Sequence, residues 1–289
     1  MPPVLHIRPL TTSDDCRRVV ALEREVWGYT DAEDVVPPPV LIVSIKRGGI
    51  LLGAFDDAGM LKGFVYSMPS IAQGRAAQWS HMLGVAADVR GSGLGLRLKA
   101  AQRQAALDMD IDLIEWTYDP LQAANAHLNF ARLGVVVEEY EENIYGDSSS
   151  PLHRGVPTDR FIALWRLREP HVERRLSAGA GLLARDSGVA TAPVVNPSAA
   201  GSRWRTPGRS DLSHDARRLL VEIPVGFSEM LTADLALALD WRMTTREIFS
   251  HYLAHGYRIV DFFRGSQAGQ YLLARKEAED RRQEIGDRR

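Results

Sequence analysis

Hydrophobic and polar residues recur with two distinct periods at the start of the chain. Leu5 and Ile7 alternate with polar neighbours, which is the two-residue period of a half-buried strand. Thr12 is followed three positions later by the acidic Asp15, the pattern of a helix capping box, and apolar residues then recur at helical spacing. The chain is therefore predicted to begin with a strand followed by a helix.

The next segments predict an antiparallel hairpin. Three prolines at 37–39 precede an apolar stretch that suits a short helix, although its composition would also suit a strand. Two β-rich runs, 50–55 and 60–68, then flank the turn sequence Asp56-Asp57-Ala58-Gly59. A further strand is expected over 78–86, ahead of a glycine-rich segment.

The rest of the chain predicts a mixture of helices and strands. Residues 188–210 are rich in Ala, Gly, Ser and Pro, which is typical of a linker. The predicted elements are a strand at 112–118, a helix from Pro120 through Leu133 closed by Gly134, strands at 135–146 and 160–167 around a polar loop at 147–159, a strand at 218–225, a helix at 234–256, and a hairpin of 257–263 with 270–276.

The glycine-rich segment carries the clearest chemical signal. A strand leads into Arg90-Gly91-Ser92-Gly93-Leu94-Gly95, and an amphipathic helix begins within it. Glycine lets the backbone approach a ligand closely, and the first turn of a helix presents unpaired N–H groups. Together these features predict a cradle for a phosphate or pyrophosphate, with Arg90 at its rim.

A structural tight turn and two kinds of nucleotide-binding loop also contain closely spaced glycines. A Walker loop requires Gly-Lys-Ser/Thr, which is absent. A Rossmann fingerprint requires a third glycine, but Leu96 or Leu98 stands there, and the preceding hairpin indicates antiparallel pairing. A purely structural tight turn remains an alternative interpretation of this segment.

The segment 90–95 resembles the Q/R-x-x-G-x-G/A signature of the GNAT superfamily of N-acetyltransferases. The order of predicted elements over 4–168 also resembles that family, and the segments SHMLGV, EWTYDPL and N-A-H-x-N are similar to a bacterial subfamily of predicted acetyltransferases. The resemblance implies an α/β (α+β) fold, with a mixed, mostly antiparallel sheet flanked by helices and a small C-terminal α/β segment.

The predicted organisation has four parts. A GNAT domain that binds acyl-CoA occupies 1–168, a linker 169–217, a small α/β domain 218–277, and a charged tail 278–289. The small domain repeats the helix, glycine, strand, turn, strand order of the first, so a degenerate half-GNAT repeat is one hypothesis. A cap over the edge of the main sheet is the other.

The resemblance implies a site for acetyl-CoA, or for another acyl-CoA such as succinyl-CoA. The resemblance implies that four parts of the chain contact the cofactor. They are the backbone of the glycine loop (Arg90, Gly91, Ser92, Gly93, Leu94 and Gly95), the edge of one strand (Met82, Leu83, Gly84 and Val85), the start of a helix (Asn125), and the helix position that is usually a tyrosine (Phe130). The implied reaction is direct attack of a primary amine on the thioester, which requires a base, an oxyanion donor and an acid.

The chain departs from the family at the residue that would act as general acid. Phe130 stands four residues before Gly134, where relatives often carry a tyrosine, and a phenyl ring has no proton to donate. Tyr118 is the candidate replacement, beside Tyr140 and Tyr145. His81 and Glu115 are the candidate bases, although ordered water can also serve. The departure leaves a second hypothesis, an acyl-CoA-binding regulatory module without turnover.

The composition of the chain limits the classes of partner that we expect it to bind. The 289 residues include 35 Lys and Arg against 37 Asp and Glu, and this net charge of −2 disfavours nucleic acid and anionic membranes as partners. The single cysteine, Cys16, excludes an intramolecular disulfide, and the histidines show no metal-ligand spacing. No membrane-length apolar run or signal peptide is evident. We therefore expect a cytoplasmic enzyme without a metal, acting on a small-molecule amine rather than a protein, and compatible with a homodimer.

Overall fold

The chain forms two compact units in the computed structural model, which describes residues 4–29, 34–146, 155–177, 189 and 191–276. The first unit contains the residues up to Trp116 together with 166–168, and the second contains 117–165 and the residues from Glu169 onward. This division falls inside a strand, whereas the sequence-based boundaries were placed at 168, 217 and 277. Those boundaries stay a prediction of domain organisation.

Five strands pair in chain order in the first unit. Neighbouring strands are antiparallel except for the last pair, which is parallel. The predicted hairpin is present because Asp56 accepts hydrogen bonds from the N–H groups of Ala58 and Met60, and Gly59 adopts a φ of +75°. The strands are β1 (His6–Pro9), β2 (Ile50–Phe55), β3 (Leu61–Ala72), β4 (Arg75–Val85) and β5 (Leu113–Tyr118), whose last two residues belong to the second unit.

Three α-helices and a short 3₁₀ helix (Ala87–Val89) complete the described part of the first unit. The α-helices are α1 (Ser13–Trp27), α2 (Pro38–Lys46) and α3 (Leu94–Asp108). The predicted capping box at the start of α1 is confirmed, since the Thr12 side chain and the Asp15 side chain each bond the other's backbone N–H. The stretch after the prolines is the helix α2 rather than a strand, with Pro38 in its first turn.

Five antiparallel strands form the sheet of the second unit. They are β6 (Val136–Glu141), β7 (Arg160–Arg166), β8 (Arg218–Pro224), β9 (Tyr257–Arg264) and β10 (Ala268–Arg275), in the spatial order β7-β6-β9-β10-β8. The predicted C-terminal hairpin is the antiparallel pair of β9 and β10. The structure thus shows a mixed α/β fold with mostly antiparallel strand pairs, as predicted.

The helices of the second unit depart from the prediction at three places. The helix expected from Pro120 begins later, at α4 (Ala123–Ala126), and continues as a π-helix over His127–Leu133. Asp119 delays its start, because the carboxylate accepts the N–H of Leu121 in an Asx turn. Gly134 ends it at a φ of +73°, as expected. The other helices are α5 (Pro170–Ser177), which was not predicted and occupies the start of the predicted linker, the unpredicted α6 (Phe227–Ala233), and the predicted α7 (Leu235–Ala254).

An aromatic cluster forms the core of the second unit. The ring of Phe161 lies 4.7 Å from that of Phe249 and 5.5 Å from that of Tyr271, and Phe130 lies 5.7 Å from Tyr271. All four side chains are fully buried. Residues before position 168 therefore share one core with residues after position 218.

The described part of the predicted linker is packed rather than open. Val195 and Asn196 are fully buried, and the Val195 N–H donates to the Leu220 carbonyl at 2.9 Å. Asn196 exchanges two hydrogen bonds with the backbone of Glu222. This segment follows β8 because its backbone groups find partners there. Residues 147–154, most of the predicted polar loop, and the tail 278–289 lie outside the described residues.

Candidate active site

The glycine loop before α3 has an open backbone. Gly91 and Gly93 adopt φ angles of +78° and +84°, which L side chains rarely take. A Cβ atom added at either residue would meet nothing within 4 Å. Packing against the protein does not require glycine here, so the loop leaves its backbone accessible to a ligand.

The first turn of α3 provides hydrogen-bond donors at this loop. Gly93 is the N-cap and no side chain caps the helix. Within the described residues, the N–H groups of Gly93, Leu94 and Gly95 have no backbone or side-chain acceptor, and the first backbone bond joins Arg97 N–H to the Gly93 carbonyl. Three N–H groups at the positive end of a helix dipole form a suitable site for a pyrophosphate.

The edge of β4 next to the loop is open as well. Tyr66 pairs with Met82 and Ser67 pairs with Ser80, so His81 is an extra residue that bulges out of β4. The parallel pairing of β4 with β5 consists of Gln78 with Ile114 and Trp79 with Glu115. The predicted contact residues 82–85 lie beyond these pairs. Their other edge pairs with β3. Their remaining backbone groups can bond an extended ligand that contains amides, such as pantetheine.

The two candidate bases lie on one face of the first unit. Glu115 pairs with Trp79, which pairs with Met68, so these three side chains share a face of the sheet. The ring of His81 meets the ring of Tyr66 edge-on, with centroids 6.2 Å apart. Tyr66 and Met68 line the same apolar groove, which has a volume of about 510 Å³ and is bounded by Pro39, Val40 and Val43. The structure therefore brings His81 and Glu115 to the same side of the sheet.

The surroundings shift the pKa values of both side chains in directions that suit a general base. Desolvation by the surrounding protein lowers the pKa of His81, although the residue is exposed on the surface. Partial burial raises the pKa of Glu115, and nearby Arg166 opposes that rise. A neutral imidazole and a carboxylate of raised pKa are both competent to accept a proton near neutrality.

A buried polar cluster on α3 was not anticipated from the sequence. Lys99 Nζ donates to Ser80 Oγ at 2.9 Å and to Gln102 Oε1 at 3.1 Å, and lies 3.6 Å from the centre of the Trp116 ring. Burial lowers the pKa of Lys99 well below its usual value. For this segment the sequence gave only the period of an amphipathic helix, which does not reveal a buried amine.

The other candidates, Tyr118, Asn125 and Phe130, belong to the second unit. Tyr118 is buried against Phe130 and Phe161, and burial raises the pKa of its hydroxyl well above the usual value. Phe130 is fully buried in the aromatic cluster, and Asn125 is exposed on α4. Among the three tyrosines considered as acids, Tyr145 has the most exposed side chain, and its hydroxyl meets Thr117 Oγ1 at 2.9 Å. The roles of all these residues remain predictions.

Neither a group of metal ligands nor a membrane-length apolar helix is found among the described residues. No group of three or more His, Cys, Asp or Glu side chains in the described ranges is placed to hold a metal ion. No helix in that part of the chain is long and apolar enough to cross a membrane.

Comparison with solved structures finds GNAT acetyltransferases of similar fold. The acetyltransferase of the GNAT family from Streptococcus pneumoniae is 19% identical, with a TM-score of 0.45, and the match covers 56% of this chain and 98% of that one. PaiA N-acetyltransferase from Thermoplasma acidophilum, in complex with coenzyme A, is 18% identical with a TM-score of 0.40, covering 56% and 99%. YncA from Salmonella typhimurium, solved with its cofactor acetyl-CoA, is 18% identical with a TM-score of 0.47, covering 57% and 95%.

No protein-family model matches the chain, and no curated protein matches it. The similarity to solved structures concerns the fold of little more than half the chain. The function is therefore argued below from the residues of the site.

Proposed function

We propose that the protein is an N-acyltransferase that moves an acyl group, most simply acetyl, from acyl-CoA to a primary amine. The observation that carries the proposal is the open glycine backbone at the start of α3, which follows a strand with no β5 partner over residues 82–85. A diphosphate and an extended amide chain, joined in one ligand, match this pair of features. Residues 90–95 would hold the pyrophosphate and residues 82–85 the pantetheine arm.

The thioester supplies an activated acyl group, and the residues of the chain supply the proton transfers. His81 or Glu115 keeps the attacking amine neutral, and their common face carries an apolar groove suited to an amine with an apolar group. Backbone N–H groups of the β4 edge provide hydrogen bonds for the developing oxyanion. Tyr118 or Tyr145 is the candidate acid for the departing thiolate, since Phe130 has no proton to give.

The first prediction tests the cradle. Gly93→Val is expected to abolish binding of acetyl-CoA and succinyl-CoA, because a β-branched side chain at a φ of +84° blocks the approach of a pyrophosphate to the backbone. Isothermal titration into the wild-type protein and the variant measures this. Gly74→Val is the matched control, since Gly74 has a φ of +76°, equally open surroundings, and a place in the distant β3–β4 turn.

The results distinguish an acyl-CoA site from a structural turn. Loss of binding in Gly93→Val with retention in Gly74→Val supports the acyl-CoA site, and the donor that binds more tightly identifies the acyl group to use next. If neither donor binds the wild-type protein, the loop is a structural turn and the proposed function is rejected.

An acyl-CoA-binding regulatory module is the second candidate function. The buried Phe130 at the position of the family's usual tyrosine favours it. Both candidates bind acyl-CoA, but only the enzyme releases free CoA thiol when an amine is present. A thiol assay with acetyl-CoA and a library of primary amines distinguishes the two, and acyl-CoA binding without amine-dependent thiol release would favour the regulatory module.

A further inference from the structure

Helix α2 exposes apolar side chains on the surface of the first unit. Only Leu41 of this helix is buried, whereas Val40 is 49% and Val43 is 61% exposed. A surface helix usually presents polar residues on the face that does not pack against the core. The two valines instead border a groove, and its opposite side is formed by residues of β3 that include Tyr66 and Met68.

The surface of this groove is uncharged and almost wholly apolar. None of the described residues that line it carries a charge, and its volume of about 510 Å³ suits a small-molecule ligand. The hydroxyl oxygens of Ser44 and Tyr66, two of its lining residues, are buried beneath that surface. An apolar ligand group therefore gains by entering the groove, whereas a charged group would lose its hydration there without gaining a partner.

The groove lies beside the candidate bases. The ring of Tyr66, which lines the groove, meets the ring of His81 edge-on with centroids 6.2 Å apart. Met68, also in the lining, pairs with Trp79, which in turn pairs with Glu115. Because directly paired residues share a face of a sheet, the second candidate base lies on the same face as the groove.

The implied acyl-CoA contacts belong to the same compact unit as the groove. Residues 82–85 directly follow His81 in β4, and residues 90–95 lead into α3. The first unit contains both segments together with α2 and β3. An amine beside His81 is therefore adjacent to the strand segment expected to hold pantetheine, and the rest of the amine molecule can extend over Tyr66 into the groove.

We propose that the groove between α2 and β3 binds the apolar group of the acceptor, and that the substrate is a primary amine with an uncharged aromatic or branched aliphatic group. This inference rests on the proposed function for the place of the reacting nitrogen at His81. It favours arylalkylamines over polyamines and amino sugars, whose further polar groups would be desolvated in the groove. Val40 and Val43 determine the specificity, since they form the exposed wall.

The first test detects occupation of the groove without acyl transfer. Phenethylamine is titrated into the wild-type protein with and without CoA, and the valine and methionine methyl resonances are followed by NMR. The signals of Val40, Val43 and Met68 are expected to shift saturably, whereas that of Met60, 61% exposed between β2 and β3, stays unchanged. Absence of these shifts would overturn the proposal. Shifts that follow protein concentration instead of amine would also overturn it, because a second copy of the chain then covers the groove.

The second test compares phenethylamine with its 4-aminomethyl derivative, which adds one ammonium at the far end of the ring. In the thiol assay, kcat/KM of the wild-type protein is expected to be at least about tenfold higher for phenethylamine, because the added ammonium is desolvated in the groove. The difference should lie mainly in KM, since it concerns binding of the acceptor. Equal values of kcat/KM for the two amines would overturn the proposal.

Two aspartate variants of matched exposure test the wall of the groove. Val43→Asp places a carboxylate there, so it is expected to lower kcat/KM for phenethylamine by about tenfold and to raise that of the 4-aminomethyl derivative. Met60→Asp adds the same charge at a position that is also 61% exposed but does not line the groove, and it is expected to keep the wild-type preference. Retention of that preference in Val43→Asp, or equal loss in both variants, would contradict the assignment.

The results distinguish failure of this inference from failure of the proposed function. Saturable shifts at Val40 and Val43 without thiol release from any amine would support the apolar-amine site and reject the proposed transfer. Thiol release with equal kcat/KM for charged and apolar amines, without those shifts, would support the transfer and reject the groove as the acceptor site.

Discussion

Glu23 shows how much a single buried side chain can govern stability. It lies on α1 with 1% of its surface exposed, and its Oε1 accepts the Val36 N–H at 3.1 Å. Burial raises its pKa to about 7, against the lowering effects of that bond and of Arg24. Because the folded state holds a proton that the unfolded state releases near pH 4.5, stability falls as pH rises through this window.

Replacing Glu23 with Gln is expected to increase the stability of the protein by an amount that depends on pH. Glu23→Gln keeps the carbonyl acceptor for Val36 and cannot ionise, so it is expected to be more stable than wild type at pH 8 by about 3 kcal/mol. The gain should shrink as pH falls from about 7 to 4.5. Urea unfolding of both proteins across this range measures it, and a gain that does not vary with pH would contradict the assignment.

The identity of the base is also decided at the scale of the residue. His81→Gln is expected to lower kcat/KM by about 100-fold or more and to remove the acidic limb of its pH profile, because the neutral imidazole accepts the amine proton. That limb should lie below the ordinary histidine range, since desolvation lowers the pKa of His81. Glu115→Gln is the comparison, and an acidic limb lost only in that variant would assign the base to Glu115.

At the scale of elements, α3 rests on β4 and β5 through a polar cluster. Lys99, Ser80 and Gln102 are all buried and joined by hydrogen bonds of 2.9 to 3.3 Å. Burial disfavours the charged form of Lys99 and lowers its pKa, so the folded state binds fewer protons than the unfolded state. The stabilising contribution of neutral Lys99 is complete above the unfolded pKa and decreases as pH falls toward the folded pKa.

Replacing Lys99 with Met should therefore stabilise the protein in a pH-dependent manner. Lys99→Met is expected to raise the melting temperature relative to wild type at pH 7, with a smaller difference at pH 10, because Ser80 and Gln102 still bond each other. Calorimetry at several pH values measures the difference. Lys46→Met, at the exposed end of α2, is the control and should show no such trend; a difference independent of pH would contradict the account.

Elements were predicted best where a local signal fixed their ends. The capping box of α1, the Asp56–Gly59 turn and the glycine after the π-helix are each determined by residues within four positions, so the sequence located them. The late start of α4 and its π register were missed because the Asx turn of Asp119 competes with the helix. The bulge at His81 was also missed, since strand register depends on a partner strand.

At the scale of the whole molecule, the aromatic cluster ties distant segments of the second unit into one core. Phe161 and Phe130 come from the first 168 residues, whereas Phe249 and Tyr271 come from the last third of the chain. Tyr271 also donates to the Pro120 carbonyl at 2.7 Å. A fragment ending at residue 168 would leave half of this cluster without its packing partners.

The fragment 1–168 is therefore expected to lose structure in its later strands. Backbone amides of β6 and β7 should lose protection against hydrogen exchange, whereas amides of β2 and β3 should remain protected, because the latter lie in the first unit. The full chain carrying Tyr271→Phe, which keeps the ring, is the control. Protection of β6 and β7 in the fragment would show that residues 1–168 fold independently.

The sequence by itself determined the order of the strands and of the longer helices, the α/β class and the glycine loop, because periodicity, caps and turns are local properties of the chain. The resemblance carried by residues 90–95 also indicated the acyl-CoA hypothesis. Tertiary structure alone decided what depends on distant partners. It placed His81 and Glu115 on one face, buried Lys99 and Glu23, and formed the apolar groove between α2 and β3. Burial and pairing of this kind arise between residues far apart in the chain, so no local pattern specifies them.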